Sequence, residues 1–207
     1  MTLAIVLASI LVSMTLHEAM HAYVSHWLGD TTAKDLGRLT LNPLAHIDLF
    51  TTILLPLFLV VLGAPPFGAA KPVPFNPYRL KYGEFGAALV GAAGPLTNLA
   101  LALVAGTVVR FFAGDLSSLW LQVLGTFTLV NLSFFIFNMI PFPPLDGSRV
   151  IYAIAPDALR DLMERIEAMG LAATLVFFFA FYYFLSGPFV TLLGWALNAI
   201  TGGAINL

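Results

Sequence analysis

There is no cysteine anywhere in the chain, so disulfides are excluded and any metal must be held by nitrogen and oxygen ligands. Charge is scarce as well: Asp, Glu, Lys and Arg make up 10% of the residues, against about 25% in an ordinary soluble domain. No basic run occurs and the net charge is −2, which speaks against nucleic acid as a direct ligand. No soluble domain of useful size fits between the apolar segments. The N-terminus lacks the basic n-region and small-residue cleavage site of a signal peptide, so the first apolar segment is expected to be retained. What fills the chain is apolar: 59% of the residues are hydrophobic and the mean hydropathy is +0.92. The expected class is an all-α polytopic membrane protein with roughly four to six transmembrane segments and a short re-entrant or strand element. One integral-membrane domain is expected over residues 1–207.

Residues 3–28 carry Glu18 as their single formal charge and read as a membrane-spanning helix that ends at Gly29-Asp30. The polar stretch 30–49 has a short alternating piece around Leu39-Thr40-Leu41 and a turn at Asn42-Pro43, which reads as a strand and turn. FTTILLPLFLVVLG at 50–63 is too short to span comfortably and is interrupted by Pro56. The region 30–64 is therefore read as re-entrant. Five prolines and three cations make 64–83 a loop. The helix expected over 84–113 should be central, because Gly86, Ala87, Ala88, Gly91, Ala92 and Gly94 let another helix approach closely. A further span, 119–140, is unwound by the three prolines of NMIPFPPLDG at 138–147. Residues 156–169 are amphipathic and expected at the water interface. The C-terminal helices over 171–200 break at Ser186-Gly187-Pro188, as one kinked helix or a tight pair.

Lys and Arg set the orientation. If 50–63 dips in and returns, then Lys34, Arg38, Lys71, Arg79, Lys81, Arg149, Arg160 and Arg165 share one side, against Arg110 alone. If it crosses, Lys34, Arg38 and Arg110 stand against the other six. The re-entrant reading gives the stronger asymmetry. It places the C-terminal end of the first helix on the cytoplasmic side of the cell membrane. At 1.5 Å per residue, His21 then lies about 10 Å inside that boundary.

At that depth stands His17-Glu18-Ala19-Met20-His21. Two histidines four residues apart share one helix face, so both imidazoles can reach a single metal with Glu18 beside them. The bland alternative is a polar patch gluing helices together. Ionisable groups at membrane depth cost about 2.5 to 3.5 kcal/mol on insertion scales, which makes such a cluster wasteful without function. A catalytic zinc needs a third protein ligand, and the candidates are His26, His46, Asp48 and Asp146. His26 falls on another face of the helix. His46 and Asp48 fit a local turn. Asp146, in the proline-broken end on the same side, is preferred, with a turn acid or a partner for Arg149 as its alternative.

HEAMH at 17–21, GPLTN at 94–98 and NMIPFPPLDG at 138–147 together resemble the site-2 proteases, which are intramembrane zinc metalloproteases. NPLAHIDLFTT at 42–52 resembles a stretch of the compact bacterial and archaeal members that lack PDZ and CBS domains. The resemblance implies that His17, His21 and Asp146 hold Zn2+ and that Glu18 is the catalytic glutamate. It also implies that Asn98 faces the site, where it would donate to the scissile carbonyl as charge develops. The expected reaction is hydrolysis of peptide bonds in or near transmembrane segments of membrane-protein substrates, with the bilayer as solvent and regulation left to other proteins. An unwound substrate is expected to add as a strand along 38–42, making Leu39, Thr40 and Leu41 substrate-binding. Two rivals come from other classes. A metal transporter should show ligands strung along a path, or repeated halves, whereas the chain has one cluster and no internal repeat. A non-proteolytic zinc scaffold would typically have lost Glu18 or a ligand. Asn131 and Asn138 are expected to be structural, and His26 with Trp27 to belong to the interfacial belt.

Overall fold

Apolar periodicity and length turn most of this chain into helix. The computed structural model describes residues 2–63 and 68–205; the first four residues of the loop expected over 64–83 lie outside the described residues. Among the described residues, four helices are long and apolar enough to cross a membrane. They are α1 (Thr2–Trp27), α4 (Glu84–Phe112), α5 (Ser118–Asn138) and the continuous run Leu171–Thr201. That last run comprises α8 (Leu171–Ala180), a π turn (Phe181–Leu185) and α9 (Ser186–Thr201). Shorter helices lie between them: α2 (Thr32–Asp35), α3 (Leu55–Val61), α6 (Asp146–Ile154) and α7 (Asp157–Ala168). The chain is an integral membrane protein, and large apolar side chains such as Leu3, Val104, Phe111 and Phe184 remain on the outside of the bundle, where lipid replaces water.

Local chemistry explains the boundaries. Just beyond α1, Gly29 has φ +107°, a conformation that a residue with a Cβ adopts only under strain. Ser117 caps α5 by accepting from the Trp120 N–H. In the last run, Pro188 lacks an N–H and its ring crowds the carbonyl of Phe184. The π turn absorbs this misfit, so the expected break at 186–188 appears as one continuous helix with a wider turn just before it.

The apolar segment after residue 48 begins with a π turn (Leu49–Leu54), whose cap Asp48 accepts from Thr51 N at 2.8 Å and Phe50 N at 3.0 Å. These bonds hold the Asp48 carboxyl below its usual range. The chain then returns to where it started: Ala69 N donates to Thr51 O at 3.1 Å and Lys71 N to His46 O at 2.9 Å.

One expectation fails here. Among the described residues there is no strand, and Leu39-Thr40-Leu41 is irregular backbone. No neighbouring strand offers a ladder, so the segment finds other partners. Thr40 O accepts from His46 Nε2 at 2.9 Å, and Leu39 packs on Ala22, Ala33 and Val73.

α4 is central and touches α1, α5, α6 and α9. Its small residues permit this: a Cβ on Gly106 would meet Ile200 Cγ2 at 2.4 Å and Thr128 Cγ2 at 3.1 Å. At one end of the bundle Arg110 donates to Ala199 O at 2.8 Å. At the other, fully buried Asp30 accepts from Thr32 N, Thr32 Oγ1 and Asn76 N, tying the loop before α4 to the foot of α1. Burial works against ionisation there, yet these donors hold the Asp30 carboxyl below its usual range.

Candidate metal centre

His17, Glu18 and His21 are all buried on α1, with His17 and His21 facing α4 and α6. His17 Nδ1 sits 2.5 Å from Asn98 Oδ1, and His21 Nδ1 sits 2.7 Å from Val90 O. Both partners can only accept, so both Nδ1 atoms carry the proton and donate outward. Each Nε2 of the neutral ring is left with a lone pair toward the centre.

Asp146 arrives from the other side. After α5 the chain turns through Pro141, Pro143 and Pro144, tightened by Phe142 N to Ile140 O and Leu145 N to Phe142 O, both 2.8 Å. Asp146 then opens α6. Glycines let the backbones close in: a Cβ on Gly91 would lie 3.0 Å from Asp146 O, and one on Gly147 would lie 2.4 Å from Met139 O. Arg149 pairs with Glu167, so Asp146 is not held as its partner.

Three acceptor atoms thereby converge. His17 Nε2 and His21 Nε2 are 3.1 Å apart, and Asp146 Oδ2 is 3.0 Å from the first and 3.4 Å from the second. Facing lone pairs repel unless a cation lies among them. A tetrahedral zinc with bonds of about 2.0 to 2.2 Å has ligand-to-ligand edges of about 3.3 to 3.5 Å, which these separations approach. Gly94 supplies the floor: a Cβ there would lie 2.5 Å from His21 Nε2 and 2.6 Å from His17 Nε2. The donor set and the room both fit a zinc ion. The Asp146 side chain is 23% exposed, whereas both histidines are buried, so Asp146 is the most accessible of the three.

Asn98 stands beside His17. It is fully buried behind His17, and its amide donates to Ser13 O at 3.3 Å and Asn131 Oδ1 at 2.9 Å. Both N–H directions are used within the protein, and its oxygen orients His17. Asn131, expected to be structural, completes this chain by donating to Phe127 O at 2.9 Å. Glu18 Oε2 accepts from the Val73 N–H at 3.2 Å, a partner that sequence reasoning missed because a backbone amide leaves no residue signature. Leu39 packs on the cluster of Ala22, Ala33 and Val73, and among the described residues neither Thr40 nor Leu41 hydrogen-bonds to the three ligands. His46 and Asp48 serve the local turns described above, and His26 stays outside the cluster.

Peptidase family M50 matches residues 106–181, a span that runs from α4 through Asp146 into the last helix. YwhC of Bacillus subtilis (strain 168), which carries a provisional name as a zinc metalloprotease, is 39% identical over 184 residues, covering 82% of this chain and 78% of its own. Rip2 of Mycobacterium tuberculosis (strain ATCC 25618 / H37Rv), named in the same way, is 28% identical over 195 residues, covering 94% of this chain and 71% of its own. Zinc metalloprotease MJ0392 of Methanocaldococcus jannaschii is 28% identical over 151 residues, covering 73% and 34%. No solved structure matches the chain. Likeness to YwhC over most of both chains, joined to a zinc-shaped cluster of two histidines and an aspartate between membrane helices, makes this protein a zinc metalloprotease that belongs to peptidase family M50, the site-2 proteases.

Proposed function

We propose that the protein hydrolyses peptide bonds within or next to transmembrane segments of other membrane proteins. The observation that carries this reading is the convergence of His17, His21 and Asp146 among helices long enough to cross a bilayer, with Glu18 beside them. His17, His21 and Asp146 would hold the ion. Zinc, when bound, supplies Lewis acidity toward a water and the scissile carbonyl. Glu18 accepts the proton of the attacking water and returns it to the leaving amine nitrogen. Asn98 and Val90 O hold the imidazoles in the tautomer that leaves Nε2 free. Burial of the histidines keeps bulk water from competing for these groups.

The cytoplasmic orientation is supported by charge. With the segment Leu49–Val61 returning to its own side, eight of the nine Lys and Arg lie at the end where α1 finishes and α4 begins, and Arg110 alone lies at the other. Segment 38–42 is proposed to line the path of the unwound substrate, with Leu39, Thr40 and Leu41 along it. Leu39→Pro should then lower cleavage by about tenfold or more with zinc retained; unchanged cleavage would remove this segment from the substrate path.

The test of the function is cleavage of a panel of single-span membrane substrates by purified protein in detergent, with zinc quantified. Cleavage should cease on chelation and return on adding zinc. Cleavage that persists in the stripped protein, or zinc-loaded protein that cuts nothing in the panel, would count against the reading.

A further inference from the structure

Arg38 is 5% exposed, yet no carboxylate is paired with it among the described residues. A buried guanidinium without a partner is costly, so its position calls for a compensating contact. Its Nη2 donates to Lys71 O at 2.5 Å. Burial pushes the guanidinium pKa down, and the negative charge of Glu18 opposes that. Arg38 and Glu18 therefore lie within electrostatic reach of each other.

The chain between them is short and stiff. The tripeptide Lys71-Pro72-Val73 offers its first carbonyl to Arg38 and its last N–H to Glu18 Oε2. Alternate residues of this stretch face the same way, as in extended chain: Ala69 N donates to Thr51 O, Lys71 N to His46 O and Val73 N to Glu18. Pro72 and Pro74 sit between them with fixed φ and no N–H of their own. A neutral side chain could tie down the Lys71 carbonyl equally well, and the buried Arg38 Nε has no hydrogen-bond partner among the described residues. A merely structural tie does not account for a cation here.

We infer that Arg38 is a positioning residue for Glu18: by fixing the Lys71 carbonyl it holds the Val73 N–H against one carboxylate oxygen of Glu18 and leaves the other aimed at the proton to be moved. This rests on the proposed role of Glu18 as the base. Proton transfer depends on a hydrogen-bonded geometry, and a glutamate with free rotamers satisfies it only part of the time.

The experiment compares wild type, Arg38→Ala, Arg38→Lys and Glu18→Gln in detergent. It follows zinc content, kcat and KM on a cleaved single-span substrate, and hydrogen exchange of the Val73 amide. Arg38→Ala should keep its zinc, lose about 10- to 100-fold in kcat with KM within about twofold, and exchange Val73 faster. Arg38→Lys should restore Val73 protection and most of kcat. Unchanged kcat, raised kcat, zinc lost together with activity, or unchanged Val73 exchange would each overturn the inference. An inactive wild type, or an active Glu18→Gln, would instead overturn the reading of Glu18 as the base, and Val73 exchange still decides the role of Arg38.

Discussion

Gly94→Ala is expected to fold, insert and purify without zinc, with cleavage reduced by at least about a thousandfold. The added methyl would stand 2.5 Å from His21 Nε2, 2.6 Å from His17 Nε2 and 2.7 Å from His17 Cε1, against the two nitrogen atoms that would hold the ion. Neither ring can retreat easily. His17 is hooked to Asn98 and His21 to Val90 O through their Nδ1 atoms, and both Cα atoms belong to one long helix. α4 cannot move away either, because α5, α6 and α9 pack on it. The helix itself should welcome the change, since alanine is favoured over glycine in helix interiors by about 0.8 to 1 kcal/mol. The measurement is zinc content beside a thermal melt. Metal lost with the melting temperature kept or raised supports the assigned centre, and metal bound at wild-type stoichiometry would place the ion away from His17, His21 and Asp146.

Gly94 also shows what sequence could and could not deliver. Small residues along α4 announce close approach, and helix packing is the ordinary reason for it; Gly106 under Ile200 and Thr128 is that case. Gly94 has the same signature and serves the histidine rings instead. His17 and His21 were legible because helical spacing alone puts them together. Asp146, far along the chain, became legible through the resemblance of its whole motif. Asn98 was legible as a polar group near the site, but its role depends on which end of the amide meets which neighbour, and that requires Ser13, His17 and Asn131 in place. The strand expected at Leu39-Thr40-Leu41 came from alternation that packing against Val73 and a bond from His46 satisfy in another way. The break expected at Ser186-Gly187-Pro188 is instead a π turn just before it, at Phe181–Leu185, in one continuous helix, a form that proline content alone does not reveal.

Glu18→Gln should lower kcat by about 10²- to 10⁴-fold while zinc stays bound. The substitution is nearly isosteric, and a glutamine side-chain oxygen can still accept from the Val73 N–H that now holds Glu18 Oε2. The chain around the centre therefore has no reason to move. Glu18 is also absent from the group of side chains whose ligand atoms converge, which is His17, His21 and Asp146, so its charge is not needed to hold the ion. What disappears is basicity: an amide neither takes a proton from water nor returns one to an amine. Single-turnover cleavage with zinc measured on the same sample separates the possibilities. Zinc retained with cleavage lost assigns proton transfer to Glu18. Zinc lost in Glu18→Gln would make Glu18 a ligand and displace Asp146 from that role. Cleavage within about tenfold of wild type, well short of the loss expected for a general base, would move the base to another side chain.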